Sequence, residues 1–329
     1  MEIFLSALAY DAHRTVIDEA AADGTRWLLL HPDGSATRDG EPVDLREARP
    51  DVAWMTGDLL QGGPARQFFG LITRSTSLQW LQSSAAGFDH PMFAELVARG
   101  VRLTPSHIAG PPIADFVLRA ALDHLQGADR WRAAAAEHRW EPHEFVEAGS
   151  TRWLVVGMGA IGAEIAVRAR ACGAHVTGVR RSPTGTEPVD AMIDPTSVPG
   201  ALPDADVVVL AVPSSSTTDG MVDATFLASM RPGSVLINIG RGALIDEGAL
   251  LAALDTGRPS RAVLDVTRTE PLPNDDPLWE HPRVVVTPHS SALGDRRHRR
   301  AAEAFAENLK RFVTGEPLHH EVTADDLTS

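Results

Sequence analysis

Four side chains late in the chain have the types and spacing to act on a small carbonyl acid. Arg241 stands in "INIGRGALIDE", just after a strand-like run and between two glycines that leave its surroundings uncrowded. Asp265 ends the strand-like run "RAVLDV", Glu270 follows in "TRTEPLP", and His289 ends "RVVVTPH" behind a proline that fixes its backbone. Singly, each reads as an ordinary loop residue. Together they form a reactive set. A guanidinium binds a carboxylate and its neighbouring carbonyl as a fork. A histidine held by a carboxylate gives or takes a proton near neutral pH, and the acid favours the imidazolium. Those are the parts needed to reduce a 2-oxo acid with hydride.

The elements that must position this set are legible around it. Residues 151–290 alternate strand-like and helix-like segments: "RWLVVG", "AHVTGV", "ADVVVLAVP", "SVLINIG", "RAVLDV" and "RVVVTPH" are short apolar runs separated by helical patterns. Continuous apolar runs of that length fit strands buried on both faces, and the rhythm predicts a doubly wound parallel sheet. In such a sheet the strand C-terminal ends open on one crevice, so Arg241, Asp265, Glu270 and His289 are placed to share a site.

The first strand leads into "GMGAIG", with Gly157, Gly159 and Gly162 in G-x-G-x-x-G spacing between a strand and a helix. That context predicts a dinucleotide turn. Gly157 permits the tight bend, Gly159 admits the pyrophosphate, and Gly162 lets helix and sheet pack closely. The amides of Ala160 and Ile161 then face the phosphates. The second strand ends in Arg180, which lies 18 residues after Gly162 and is followed by Arg181 and Ser182. An NAD site places an acid there, on the ribose 2′-hydroxyl. A guanidinium instead suits a 2′-phosphate, so the expected cofactor is NADPH, with NAD possible.

The ordered set "GMGAIG", "NIGRGALIDE", "DVTRTEPLP" and "TPHSSAL" resembles the D-isomer-specific 2-hydroxyacid dehydrogenases, over nearly the whole chain and most densely over 151–295. The resemblance implies two Rossmann-like domains: a nucleotide-binding domain over 106–292 and a smaller flavodoxin-like substrate domain from 1–105 plus 293–329. It implies that Arg241 anchors the substrate carboxylate, that His289 supplies the proton and Glu270 holds it, and that Asp265 hydrogen-bonds the nicotinamide carboxamide. "LQSSAAGFDH" is similar to the family's substrate loop, so amides around Ala85, Ala86 and Gly87 are expected to grip the carboxylate in an interdomain cleft. Val212, Pro213, Thr218 and Ile239 are expected to complete the cofactor contacts. "DVTRTEP" departs from the family's pattern at Thr267 and Thr269, positions expected to shape the loop. A homodimer is implied by the resemblance alone. Two other activities use the same architecture: formate or phosphite oxidation, against which the Glu270–His289 pair argues, and nucleotide sensing by a corepressor without catalysis.

The bulk composition narrows the field. The chain has 329 residues and a formal net charge of −14, which disfavours nucleic acid and anionic membranes as partners. The basic run "DRRHRR" leads into an alanine-rich pattern and reads as a solvated helix face. A lone cysteine, Cys172, excludes an intramolecular disulfide and is expected to be buried. The N-terminus lacks a signal-peptide pattern, no stretch reads as a membrane span, and a cytoplasmic enzyme is expected. No metal site is expected, the histidines of "EHRWEPHE" lying on a connector. Trp54, Trp80 and Trp279 are expected in core or interface packing, and Trp131, Trp140 and Trp153 are compatible with a buried interface.

Overall fold

The structure, a computed structural model, describes residues 1–60, 63–84, 90–106 and 108–323. The chain divides into two compact units, Met1–Ala109 with Asp295–Ser329, and Gly110–Gly294.

The first unit begins with β1 (Glu2–Ser6), α1 (Ala7–Asp18), β2 (Arg26–Leu30), β3 (Ala36–Arg38) and β4 (Glu41–Pro42). It continues through β5 (Val52–Met55), α2 (Gly57–Leu60), α3 (Ala65–Arg74), β6 (Trp80–Ser83), α4 (Pro91–Ala98) and β7 (Arg102–Thr104). The sheet order is β4-β3-β2-β1-β5-β6-β7. The run β2-β1-β5-β6-β7 is parallel throughout, with the second strand beside the first as in flavodoxin-like sheets. Strands β3 and β4 extend it as an antiparallel meander, through polar residues whose pattern gives no strand signal.

The second unit opens with α5 (Gly110–Leu125) and α6 (Ala128–Ala136), separated by the left-handed Gly127 at φ 61°. Then follow β8 (Arg152–Val156), α7 (Ala160–Ala171), β9 (His175–Val179), β10 (Ala191–Ile193), α8 (Val198–Ala201) and β11 (Val207–Leu210). The unit closes with α9 (Ala224–Ser229), β12 (Val235–Asn238), α10 (Glu247–Thr256), β13 (Arg261–Leu264) and β14 (Val284–Val286). All seven strands are parallel, in the order β10-β9-β8-β11-β12-β13-β14. This is the doubly wound arrangement, reversing direction between β8 and β11. Residues of β11 and β12 are buried on both faces, which is why they read as unbroken apolar runs. Asp246 caps α10 by accepting the Ala249 amide, and left-handed Gly257 ends that helix.

Helix α11 (Arg297–Thr314) belongs to the first unit and packs on α1. Its buried Ala301, Ala302, Phe305, Ala306 and Leu309 recur at helical spacing. Phe305 stacks on Trp54 and Trp80 at centroid distances of 4.7 and 5.4 Å, so those tryptophans are core residues. The basic run at its start is only partly solvated. Arg299 pairs with Glu303, but Arg300 folds back to donate to the Ile108 carbonyl.

Three expectations need correction. Cys172 is exposed, because it caps the C-terminus of α7 at the surface. Trp279 is 49% exposed, its indole N–H donating to the Pro273 carbonyl of its own loop. Trp153 lies in the core of β8, its N–H donating to Thr151, so of the tryptophans named for an interface it is the one removed, while Trp140 is almost wholly exposed in the single chain. Among the described residues no helix is long and apolar enough to cross a membrane.

Candidate active site

Because β8 to β14 run parallel, the segments that follow them all lie along one edge of the sheet. The turn after β8 sits at the reversal of strand order. Gly157 has φ +106°, and a Cβ there would stand 2.5 Å from the Ala211 carbonyl oxygen. A Cβ on Gly162 would stand 2.0 Å from the Gly157 oxygen, so only glycine lets α7 start this close to the turn. A Cβ on Gly159 would meet nothing within 4 Å, leaving that face of the turn open to an incoming group. Gly159 also N-caps α7 without a side chain, so the amides of Ala160 and Ile161 open the helix with no capping oxygen over them. An open face beside uncapped amides at a helix N-terminus fits a pyrophosphate. The turn fits the dinucleotide it is expected to hold.

Arg180, immediately after β9, does not stand free. Its Nη1 donates to the Met158 carbonyl of the glycine turn at 3.1 Å and to Glu187 Oε1 at 3.2 Å. Glu187 also accepts the amides of Thr184 and Gly185. The Thr184 amide is the main cause that holds its carboxyl down to about 2, so it is ionised at working pH. Arg181 and Ser182 are exposed beside this pair. Glu187 escaped the sequence reading because nothing local marks a loop glutamate as an arginine's partner.

The Glu270–His289 pair is assembled from two loops. Glu270 Oε2 and His289 Nδ1 lie 2.8 Å apart, and Glu270 Oε1 accepts the Thr267 amide at 3.2 Å. A carboxylate only accepts, so Nδ1 carries the hydrogen of this bond and Nε2 is left to exchange a proton. His289 is non-glycine yet left-handed at φ 50°, a conformation that must be held from outside. Asp265 holds it. Its carbonyl accepts the His289 amide at 2.8 Å, and its side chain accepts Thr287 Oγ1 at 2.7 Å and the amides of Ser290 and Ser291. Only 2% exposed, the Asp265 carboxylate is engaged by the loop that carries the histidine.

Arg241 is exposed after β12. Its Nη1 donates to the Gly240 carbonyl, and among the described residues its guanidinium meets no carboxylate. The flanking glycines do not serve to leave it uncrowded. A Cβ on Gly242 would stand 1.9 Å from the Thr267 carbonyl carbon, and one on Gly240 would stand 2.6 Å from the Val212 oxygen. Both glycines exist for backbone-to-backbone packing of neighbouring loops. Asn238, also missed from sequence, fixes the arginine's main chain: its Nδ2 donates to the Arg241 carbonyl at 2.9 Å and its Oδ1 accepts the Gly240 amide. Its only signal was a polar residue in an apolar strand.

Of the remaining expected contacts, Val212 and Pro213 follow β11 and Ile239 follows β12, on the same edge. The Thr218 hydroxyl donates to the Pro213 carbonyl and accepts the Ser215 amide, which closes that loop. Ala85, Ala86 and Gly87 lie outside the described residues.

Comparison with known proteins gives the family. The family model for the D-isomer specific 2-hydroxyacid dehydrogenase NAD binding domain matches residues 118–291. Glyoxylate/hydroxypyruvate reductase A of Klebsiella pneumoniae is 28% identical over 88% of this chain and 90% of its own. A D-isomer specific 2-hydroxyacid dehydrogenase family protein from Aeromonas salmonicida is 29% identical, with a TM-score of 0.76 over 98% of this chain and 99% of its own. A D-isomer specific 2-hydroxyacid dehydrogenase from Xanthobacter autotrophicus, solved with NADPH and MES, is 30% identical, with a TM-score of 0.75 over 98% of both chains. With a family model covering more than half its length and a glycine turn built to match, the chain belongs to the D-isomer specific 2-hydroxyacid dehydrogenases.

Proposed function

We propose that the enzyme is an NADPH-preferring reductase of a small 2-oxo acid of the glyoxylate or hydroxypyruvate type. The observation that carries this reading is the 2.8 Å Glu270–His289 contact, which commits Nδ1 and leaves Nε2 to the substrate. When bound, the reduced cofactor supplies hydride. Gly157, Gly159, Ala160, Ile161 and Gly162 would hold its pyrophosphate, with Val212, Pro213, Thr218 and Ile239 lining the same edge. Arg241 binds the substrate carboxylate and polarises the 2-oxo group. His289 gives its Nε2 proton to the oxygen as negative charge gathers there, and Glu270 keeps the ring oriented and offsets its charge. Arg241 and His289 together stabilise the developing alkoxide. The loop of Ala85, Ala86 and Gly87 is the proposed substrate loop, with the first unit the proposed substrate domain and the second the proposed nucleotide domain.

Arg180, Arg181 and Ser182 support NADPH over NADH, as does the NADPH held by the Xanthobacter relative. The name of the Klebsiella relative supports the substrate class. A homodimer is proposed on the half-exposed apolar side chains Trp131, Phe145 and Val146 and fully exposed Trp140, which sedimentation tests directly. The exposed thiol of Cys172 suits the reducing cytoplasm.

The test is oxidation of NADPH on adding glyoxylate, hydroxypyruvate or phenylpyruvate to wild type and His289→Ala. Losing the proton donor should lower kcat by roughly 10²–10⁴-fold. Near-normal turnover in His289→Ala would remove the histidine from its role. For the cofactor, wild type should show the higher kcat/KM with NADPH, and Arg180→Asp should invert the preference.

A further inference from the structure

We propose that Glu187 is the positioning residue that lets this enzyme read a 2′-phosphate: it holds Arg180 by Nη1 and leaves the Nε–Nη2 edge of the guanidinium free. The inference rests on the NADPH reading and extends it to a residue the glycine motif does not include.

The geometry is specific. Nη1 is shared between the Glu187 carboxylate and the Met158 carbonyl inside the phosphate turn. Among the described residues, Nε and Nη2 of Arg180 have no protein acceptor. A guanidinium offers planar double-donor edges, and the edge formed by Nε and Nη2 binds an oxyanion as a two-pronged fork. Tying down Nη1 fixes the plane of that fork at the end of the second strand, which is where the ribose hydroxyls belong in this fold.

An acid beside a phosphate site would ordinarily repel the ligand. Here the charge is already met. Glu187 Oε1 accepts the Thr184 amide at 2.7 Å along with Arg180, and Oε2 accepts the Gly185 amide at 2.9 Å. Its side chain is 6% exposed against 38% for Arg180, so the guanidinium is the more accessible partner. Gly185, at φ +79°, bends the chain so that both amides reach one carboxylate. Glu187 therefore closes the 184–187 turn with both oxygens and aims Arg180 through Oε1.

The experiment is titration calorimetry of 2′,5′-ADP and 5′-AMP into the full chain, as wild type, Glu187→Ala, Arg180→Ala and the double variant. These fragments differ in the 2′-phosphate and need neither hydride transfer nor substrate. Wild type should favour 2′,5′-ADP. Glu187→Ala should weaken 2′,5′-ADP about tenfold, the scale of one misplaced charge-assisted fork, and change 5′-AMP by less than about twofold. In the Arg180→Ala background the same substitution should add nothing to the ratio, because the acid acts through the arginine. If Glu187→Ala leaves the ratio unchanged, raises it, or weakens both ligands equally, the positioning role is wrong while a wild-type preference for 2′,5′-ADP keeps the NADPH reading. Equal wild-type binding of both ligands would overturn the NADPH reading itself, and this inference with it.

Discussion

Asp265→Asn separates two jobs that one carboxylate could do. The family pattern assigns Asp265 to the nicotinamide carboxamide, whereas the structure ties it to the loop bearing His289. The wild-type carboxylate takes Thr287 Oγ1 at 2.7 Å and the Ser290 amide at 2.9 Å on Oδ1, and the Ser291 amide at 3.0 Å on Oδ2. Asparagine retains one acceptor oxygen, but its NH₂ replaces Oδ2 and confronts the Ser291 N–H. Hydrogen bonds to a charged group contribute about 1 kcal/mol more than neutral ones, so two weakened bonds and a third replaced by a donor–donor clash cost roughly 3 kcal/mol. Relief from burying a charge at a site 2% exposed offsets part of that. A net loss of about 2 kcal/mol matters in this loop because His289 is held left-handed, itself unfavourable by about 1 kcal/mol or more. At about 1.4 kcal/mol per decade, misplacing the ring should lower kcat about 10–30-fold. Steady-state kinetics with each of NADPH and the 2-oxo acid varied should show that fall with the KM for NADPH changed less than about twofold. A KM for NADPH raised tenfold or more with kcat preserved would refute the argument and return Asp265 to the cofactor.

Gly242→Ala places a methyl 1.9 Å from the Thr267 carbonyl carbon, so two active-site loops must part. Overpacking of this kind costs about 1–3 kcal/mol, and kcat/KM should collapse while calorimetry still records a cooperative, lowered Tm. Glu270→Gln keeps an acceptor for the Thr267 amide but removes the charge beside His289, and single-turnover measurements should show the chemical step slowed about 10–100-fold. His124 donates from Nε2 to the Gly233 carbonyl, and burial, the largest influence, lowers its pKa below 6.5 despite that bond and nearby Asp129 and Asp206, with Arg261 adding to the shift. The unfolded chain therefore takes up a proton first as pH falls below 6.5, and folded stability is lost from there down to the folded-state value. His13, His298 and His320 are lowered by burial in the same way. Tm should fall from pH 7 to 5, and His124→Gln should flatten that slope; an unchanged slope would remove His124 from it.

What the sequence disclosed tracks the range of the physics involved. The strands of the second unit were legible because burial on both faces forces unbroken apolar runs such as Val207–Leu210. The glycine turn was legible because its three glycines fall within six residues, from Gly157 to Gly162, between a strand and a helix. The β3–β4 meander was not, since its strands are three and two residues long and carry no apolar alternation, although Gly34, Asp39 and Gly40 all turn in left-handed conformations. Residue types at the site were legible, but several duties were not. Gly242 looks like a spacer for Arg241 until Thr267, 25 residues later, packs against it. Asp265 carries a further duty that the sequence does not show, since Ser290 and Ser291 donate to it from beyond the next strand.

These long-range contacts make one object of three loops. Gly242 lies against Thr267, the Thr267 amide holds Glu270, Glu270 holds His289, and Asp265 holds the residues after His289. Arg241 is joined to the same object through Asn238, whose carbonyl accepts the Asp265 amide at 3.0 Å while its side chain binds the Arg241 carbonyl. Arg241 and His289 are thus set relative to each other by main-chain contacts along the sheet edge, without any direct bond between the two side chains. Both side chains remain exposed for this reason: their backbones carry the positioning, which leaves the guanidinium and Nε2 free for the substrate role proposed above.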